Sequence, residues 1–218
     1  MTIIGKIGAL ISLSTLALAG FVAYQVSKPP KVVSLNDNLL DTPRHPVTED
    51  MWKKSRARAG QPAPLFVLQD HMGDKLQLTE LLKKGPVVLV FTKDGCPCSM
   101  ESQPFFNQLA RHFAGKATFV GVIDAPQHVA SKYKDDFSVP YTMALAADGA
   151  VFKSFGSLQS VYTTLIKADG IVAKQWPGYS RATLTDLNEE LATLTQIKPG
   201  VIDLTMAPSQ ITSGCFFR

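Results

Sequence analysis

The chain has 218 residues, 45% of them hydrophobic and 18% charged, which fits a folded protein with a core of ordinary size and excludes a disordered one. Its net charge of +4 is mild, and the basic residues are scattered, with Lys53, Lys54, Arg56 and Arg58 as the densest group, so no nucleic-acid partner is expected. Three cysteines are too few for a disulfide scaffold, and the placing of Cys96 and Cys98 one residue apart suggests chemistry instead.

From Ile7 to Val26 the chain runs 20 residues without a charge, long enough to cross a bilayer as a helix. A core helix of a soluble domain would show a polar face, and only Ser12, Ser14 and Thr15 interrupt this one. Ala17-Leu18-Ala19 resembles a cleavage site, yet the apolar run continues through Phe21, Val22, Ala23 and Tyr24. Residues 1–28 therefore read as a membrane anchor or signal. Residues 29–59, with Pro29, Pro30, Pro43 and Pro46 and no hydrophobic period, read as a linker.

Character changes at Gly60. Leu65 to Leu68 reads as a short strand, Leu76 to Leu78 as its partner after Gly73-Asp74, and Thr79 to Leu82 as a short helix ended by Gly85. The β-branched and aromatic run Pro86 to Phe91 is expected as a central strand buried on both faces. Met100 to Phe113 reads as a helix with Phe105, Phe106, Leu109 and Phe113 along one stripe, and Ala117 to Ile123 as a second buried strand. A helix over Gln127 to Asp136, a strand over Thr142 to Ala146 and a short helix over Val151 to Phe155 follow. Val161 to Ile166 and Ile171 to Trp176 flank Lys167-Ala168-Asp169-Gly170, a hairpin signal, and Arg181 to Leu194 closes with leucines on one face. This order predicts an α/β layered domain over residues 60–196, with a mixed central sheet flanked by helices. Residues 197–218 form a C-terminal tail carrying Cys215.

Between about Gly60 and Leu194 the chain resembles the thioredoxin superfamily, specifically its peroxiredoxin-like (AhpC/TSA, redoxin) and membrane-anchored TlpA-like branches. The resemblance is carried by Gly60-Gln61-Pro62-Ala63-Pro64-Leu65-Phe66, by the strand Val87 to Phe91 leading into Gly95-Cys96-Pro97-Cys98, by Val120-Gly121-Val122, and by Tyr162 to Ile166 before Asp169-Gly170. Pro104 falls eight residues after Cys96, where such domains carry a helix-kinking proline. The resemblance implies a thioredoxin-like fold and a thiol oxidoreductase with Cys96 as nucleophile, working by thiol–disulfide exchange or thiol-dependent peroxide reduction. It also implies an extracytoplasmic, periplasmic-side domain, no cofactor, and as partners a redox protein or small thiol donor and a disulfide or peroxide substrate. Four positions depart from the family's pattern. Ser99 stands where a Cys-x-x-Cys pair would have its second cysteine, and Tyr162 stands where a cis-proline usually faces the active cysteine. Thr92 lies four residues before Cys96 instead of three, and no arginine lies between Val161 and Gly170, where peroxiredoxins place one.

The residue pattern suits thiol chemistry. A cysteine at the start of a helix meets unpaired N–H groups and the positive end of the dipole, and such sites lower a thiol pKa from about 8.5 into the range of roughly 3.5 to 7.5. Pro97 fits the first helical turn, having no N–H to lose. Lys93 either adds positive potential or points to solvent, and Glu101 either accepts a proton or serves the dipole. Cys98 and Cys215 are both candidates to resolve an oxidised Cys96, the first through a strained bridge over one residue, the second by folding the tail back with Phe216 and Phe217 docking it. Two other functions remain open: a Cu(I) metallochaperone using Cys96, Cys98, Met100 and Cys215 as soft donors, and a redox-inactive binding module. His45, His71, His112 and His128 are dispersed, without the paired spacing of a zinc site.

Overall fold

The computed structural model describes residues 43–217; the anchor or signal read over residues 1–28 lies outside them. Among the described residues no helix is long and apolar enough to cross a membrane.

Among the described residues thirteen elements follow one another as α1 (Glu49–Arg56), β1 (Val67–Asp70), β2 (Lys75–Gln77), α2 (Leu78–Leu82), β3 (Val87–Thr92), α3 (Pro97–His112), β4 (Thr118–Ile123), α4 (Gln127–Asp136), β5 (Thr142–Leu145), α5 (Ala150–Phe155), β6 (Thr163–Ile166), β7 (Val172–Trp176) and α6 (Arg181–Thr195). The strands form one mixed sheet in the order β2-β1-β5-β4-β3-β6-β7. β3 pairs in parallel with β4, Val87 opposite Thr118, and antiparallel with β6, Val87 opposite Ile166. A strand with partners on both edges and layers on both faces has no wet side, which is why all six of its residues are buried.

Alternation along β3 divides the core. Val88 and Val90 face Phe105, Phe106 and Leu109 of α3 and Leu184, Leu187 and Leu191 of α6. Val87, Leu89 and Phe91 face Leu78 and Leu81 of α2 and Val151, Phe152 and Phe155 of α5. Period two on the strand thus supplies both layers from one run of apolar residues.

Several buried positions on α3 are polar. Gln103 donates to Asn107 Oδ1 (2.8 Å) and to the Tyr141 hydroxyl (2.6 Å), and Asn107 donates to the Phe137 carbonyl (2.9 Å). The Tyr133 hydroxyl donates to the Ser99 carbonyl (3.1 Å). This chain fixes α3 against α4 and the loop before β5, and each buried polar group in it has a partner. Pro104 lies inside the helix, as the resemblance implied.

One segment differs from its sequence reading. Residues 29–59 were expected as linker, yet α1 lies among them. Thr48 caps it, Glu49 and Asp50 occupy its first turn, and Lys53, Lys54 and Arg56 its last, so the charges that suggested solvated chain complement the helix dipole. Met51 packs towards one core and Trp52 towards the other. The tail holds no helix or strand but is tied down throughout. Asn188 exchanges two hydrogen bonds with Gly200 (2.8 and 2.9 Å), Thr212 exchanges two with Tyr179 (2.9 and 3.0 Å), and Ser213 N–H donates to His45 O (2.8 Å). The expected hairpin between β6 and β7 is present, closed by Gly170 N–H on Lys167 O (2.9 Å).

Candidate active site

β3 ends at Thr92, and Gly95 turns the chain in the left-handed region (φ 69°) into Cys96, the residue that caps α3. Pro97 takes the first helical position, where its missing N–H costs nothing. Cys96 is only 1% exposed. Its sulfur makes no capping bond to the helix N–H groups, contrary to the sequence expectation. The Ser160 hydroxyl (3.2 Å) and the backbone N–H of Cys215 (3.2 Å) donate from elsewhere in the fold, with the Cys98 thiol of α3 itself and the Cys215 thiol beside them.

These contacts sort the three thiols. The Cys98 S–H is the largest influence holding Cys96 well below the ordinary thiol value; burial opposes it, and Ser160 and Cys215 add to it. Cys98 is pushed up because its hydrogen is committed to Cys96, then by burial and by the negative charges of Cys96 and Glu101. Cys215 is pushed up to about 11 by burial first, then by its bond to Cys96 and that sulfur's charge, with the Lys93 ammonium acting the other way. The surroundings therefore favour the thiolate at Cys96 and the protonated thiol at Cys98 and Cys215.

The tail reaches Cys96 as an added strand segment. Ser160 N–H donates to Cys215 O (2.9 Å) and Phe217 N–H to Leu158 O (3.0 Å), with Gln159 opposite Phe216. Gly214 lets this happen, since a Cβ there would overlap the Ser160 hydroxyl. The Phe217 ring stacks on Phe152 of α5 at 3.7 Å and 6°. On the other side, His45 Nε2 lies 3.8 Å from Cys215 Sγ.

The remaining sequence candidates fall as follows. Ser99 is buried, and its hydroxyl accepts the Lys93 N–H (3.1 Å), closing the loop before the helix. Tyr162 belongs to the opposite core from Cys96; the residue of that loop facing the thiol is Ser160, and Val161 makes the bend with φ 65°. No peptide bond among the described residues is cis. The Thr92 hydroxyl donates to Val90 O (3.3 Å). Lys93 pairs with Asp124 (2.6 Å), and Glu101 pairs with Arg44 (2.9 Å). Among the described residues no group of three or more His, Cys, Asp or Glu side chains is arranged to hold a metal ion, so the Cu(I) reading gains no support from the geometry. Ser160 and His45 are the two site residues that sequence reasoning missed.

A buried cysteine at a strand-to-helix turn, beside a mixed sheet with helices on both faces, defines a thiol oxidoreductase of thioredoxin-like fold. More particularly, residues 59–175 match the model of the AhpC/TSA family, and the chain belongs to that family. It is similar to the thiol-disulfide oxidoreductase ResA of Bacillus thuringiensis subsp. konkukian, 29% identical over 146 residues, which covers 66% of this chain and 82% of the relative. Among solved structures it is similar to the peroxidoxin BcpB of Mycobacterium tuberculosis (TM-score 0.56, 27% identity, 65% of this chain and 98% of that one). DsbF of the same organism shares the fold (TM-score 0.53, 24% identity, 60% and 95% covered).

Proposed function

We propose that the chain carries out thiol–disulfide exchange, with Cys96 as nucleophile and Cys215 as the thiol that resolves the mixed disulfide. The observation that carries this reading is the convergence on Cys96 Sγ of the Ser160 hydroxyl, the Cys215 N–H and two further thiols. In the first step the Cys96 thiolate attacks one sulfur of a substrate disulfide, forming a mixed disulfide and releasing one substrate thiolate. In the second, Cys215 gives up its proton and attacks Cys96 Sγ, which forms the Cys96–Cys215 bond and releases the second substrate thiolate. The substrate is thereby reduced by two electrons and the chain oxidised by two; an external dithiol protein or small thiol returns it to the reduced state.

Cys98 fits a different part. It follows Pro97 in the first turn of α3 and donates to the thiolate, and a bond to Cys96 across one residue would distort that helix start. Exchange is favoured over peroxide reduction because, among the described residues, no arginine or lysine hydrogen-bonds Cys96, and Thr92 bonds its own strand. The uncharged run from Ile7 to Val26 supports attachment to a membrane, and the resemblance to anchored redoxins supports an extracytoplasmic position.

One experiment tests this reading. Full-length protein from membranes is assayed for insulin-disulfide reduction and thiol-dependent peroxide consumption, beside Cys96→Ser and a chain lacking residues 1–28. Insulin reduction is expected in the membrane fraction, lost in Cys96→Ser and made soluble by the deletion. Peroxide consumption alone would replace exchange with peroxidase activity, and wild-type protein inactive in both assays would overturn the reading.

A further inference from the structure

Cys215 must shed a proton before it can attack, and its surroundings oppose this. The thiol is half-buried in the tail, and burial is the first cause that pushes it above the ordinary thiol value. A base within reach would remove the obstacle. Among the described residues, the imidazole of His45 lies against Cys215 Sγ, 3.8 Å away at Nε2.

Its position is fixed by the backbone. His45 O accepts the N–H of Ser213 (2.8 Å), His45 N–H donates to the Thr212 hydroxyl (3.4 Å), and Pro46 pairs with Thr212. The segment before α1 is therefore fastened to the two residues that precede Gly214 and Cys215. Where the tail goes, the imidazole is registered against its thiol. Arg44, next in the chain, ties the same segment to Glu101 on α3 (2.9 Å).

We infer that His45 is the general base of the resolving step, taking the proton from Cys215 Sγ onto Nε2 as that sulfur attacks Cys96. The inference rests on Cys215 being the resolving thiol. The balance is simple: the S–H bond of Cys215 breaks, its proton goes to His45 Nε2, and its electron pair forms the bond to Cys96 Sγ. The bond from Cys96 to the substrate breaks, and the departing substrate thiolate takes a proton from the imidazolium or from water. A positioned base of this kind contributes on the order of 10²- to 10⁴-fold. Nε2 must carry no proton when the step begins.

Other charges face this pair from every neighbouring element. The Cys96 thiolate and the Cys98 thiol stand at the start of α3, and Glu101 sits on its first turns, opposed by Arg44. Lys93 and Asp124 form an ion pair at the ends of β3 and β4, one lowering and the other raising Cys215. Tyr179 before α6 is held neutral well above the usual phenol range by burial. Once Cys96 is in the mixed disulfide its sulfur is no longer a thiolate, and none of the other groups is a base that contacts Cys215 Sγ.

The test uses the full chain and dithiobis(nitrobenzoate), which releases one coloured thiolate when Cys96 attacks and a second when the mixed disulfide is resolved. Wild type is expected to release the second equivalent at least about tenfold faster than His45→Gln at neutral pH, with the mixed disulfide accumulating on Cys96 in the variant. The gap should close at high pH, where hydroxide deprotonates Cys215 without help from the imidazole. Glutamine keeps both backbone ties, and in His45→Ala added imidazole should restore the second phase. Equal second phases at every pH would overturn the inference, as would a slow second phase that imidazole leaves unchanged. Mass mapping separates the two readings. If wild type shows no Cys96–Cys215 link, the resolving role of Cys215 fails first; if it shows the link and the histidine variants match wild type, only the role of His45 fails.

Discussion

At the scale of single residues, the site works by giving Cys96 donors without giving it a cation. A hydrogen bond to a charged group is worth about 1.5–3 kcal/mol, and one pKa unit corresponds to about 1.4 kcal/mol. Removing the Cys98 S–H should therefore raise the pH at which the Cys96 thiolate forms by about 1 to 2. The sign follows from the chemistry: an acid held low stays ionised down to its lowered value, and its reactivity disappears as pH falls through that value. Cys98→Ala is expected to move this loss of alkylation rate towards neutrality, whereas Cys98→Ser, which keeps a donor, should stay near wild type. Identical profiles for the two variants would remove Cys98 from the role of donor. The turn that carries Cys96 was legible in the sequence because glycine, cysteine and proline follow an apolar strand. Ser160 and His45 were not, because each meets its sulfur from far away, 64 positions for Ser160 to Cys96 and 170 for His45 to Cys215. No local pattern marks a hydroxyl or an imidazole that only the sheet order and the returning tail bring into place.

At the scale of elements, the tail is both cover and reagent. While Cys215 lies on Cys96 the nucleophile is 1% exposed, so a substrate disulfide can reach it only when residues 213–217 lift away. What holds them down is a short set of contacts: strand-like hydrogen bonds to Leu158 and Ser160, Ser213 N–H on His45 O, Cys215 N–H on Cys96 Sγ, and the stack of Phe217 on Phe152. An aromatic pair adds about 0.5–1.5 kcal/mol beyond burial, and local opening draws on contacts of this size. Phe217→Ala is expected to speed alkylation of Cys96 several-fold at pH 8, with little change in global unfolding by denaturant. Labelling at the wild-type rate would show that the stack does not close the site. The tail's length and its two phenylalanines suggested docking in the sequence, and the path became visible only with Gly214 against Ser160. The helix α1 escaped notice for another reason. Its eight residues are too short for a hydrophobic period to show, and its charges, sorted by sign along the helix axis, look from composition alone like solvated chain.

At the scale of the whole molecule, the order strand, helix, strand, helix was readable because β3 and β4 are continuous apolar runs and α3 and α6 carry clear stripes. The order of strands in the sheet was not, since pairing β1 with β5 depends on contacts such as Gln69 with Leu145 that no local pattern encodes. The same long-range closure makes the redox state of the chain measurable in its stability. A Cys96–Cys215 bond would join residues 119 positions apart and pin the tail across the domain. The chain-entropy treatment gives about 5 kcal/mol for such a loop, and measured disulfides typically supply about 2–4 kcal/mol. A Cys96–Cys98 bond closes almost no loop and gives about 1–2 kcal/mol in the same treatment, before strain is subtracted. For a domain of this size each kcal/mol moves the melting temperature by roughly 2–4 °C. Stoichiometrically oxidised wild type should therefore melt roughly 5–15 °C above the reduced protein, and oxidised Cys215→Ser should show little of that rise. An equal rise in both would place the bond at Cys98 and leave the tail as cover alone.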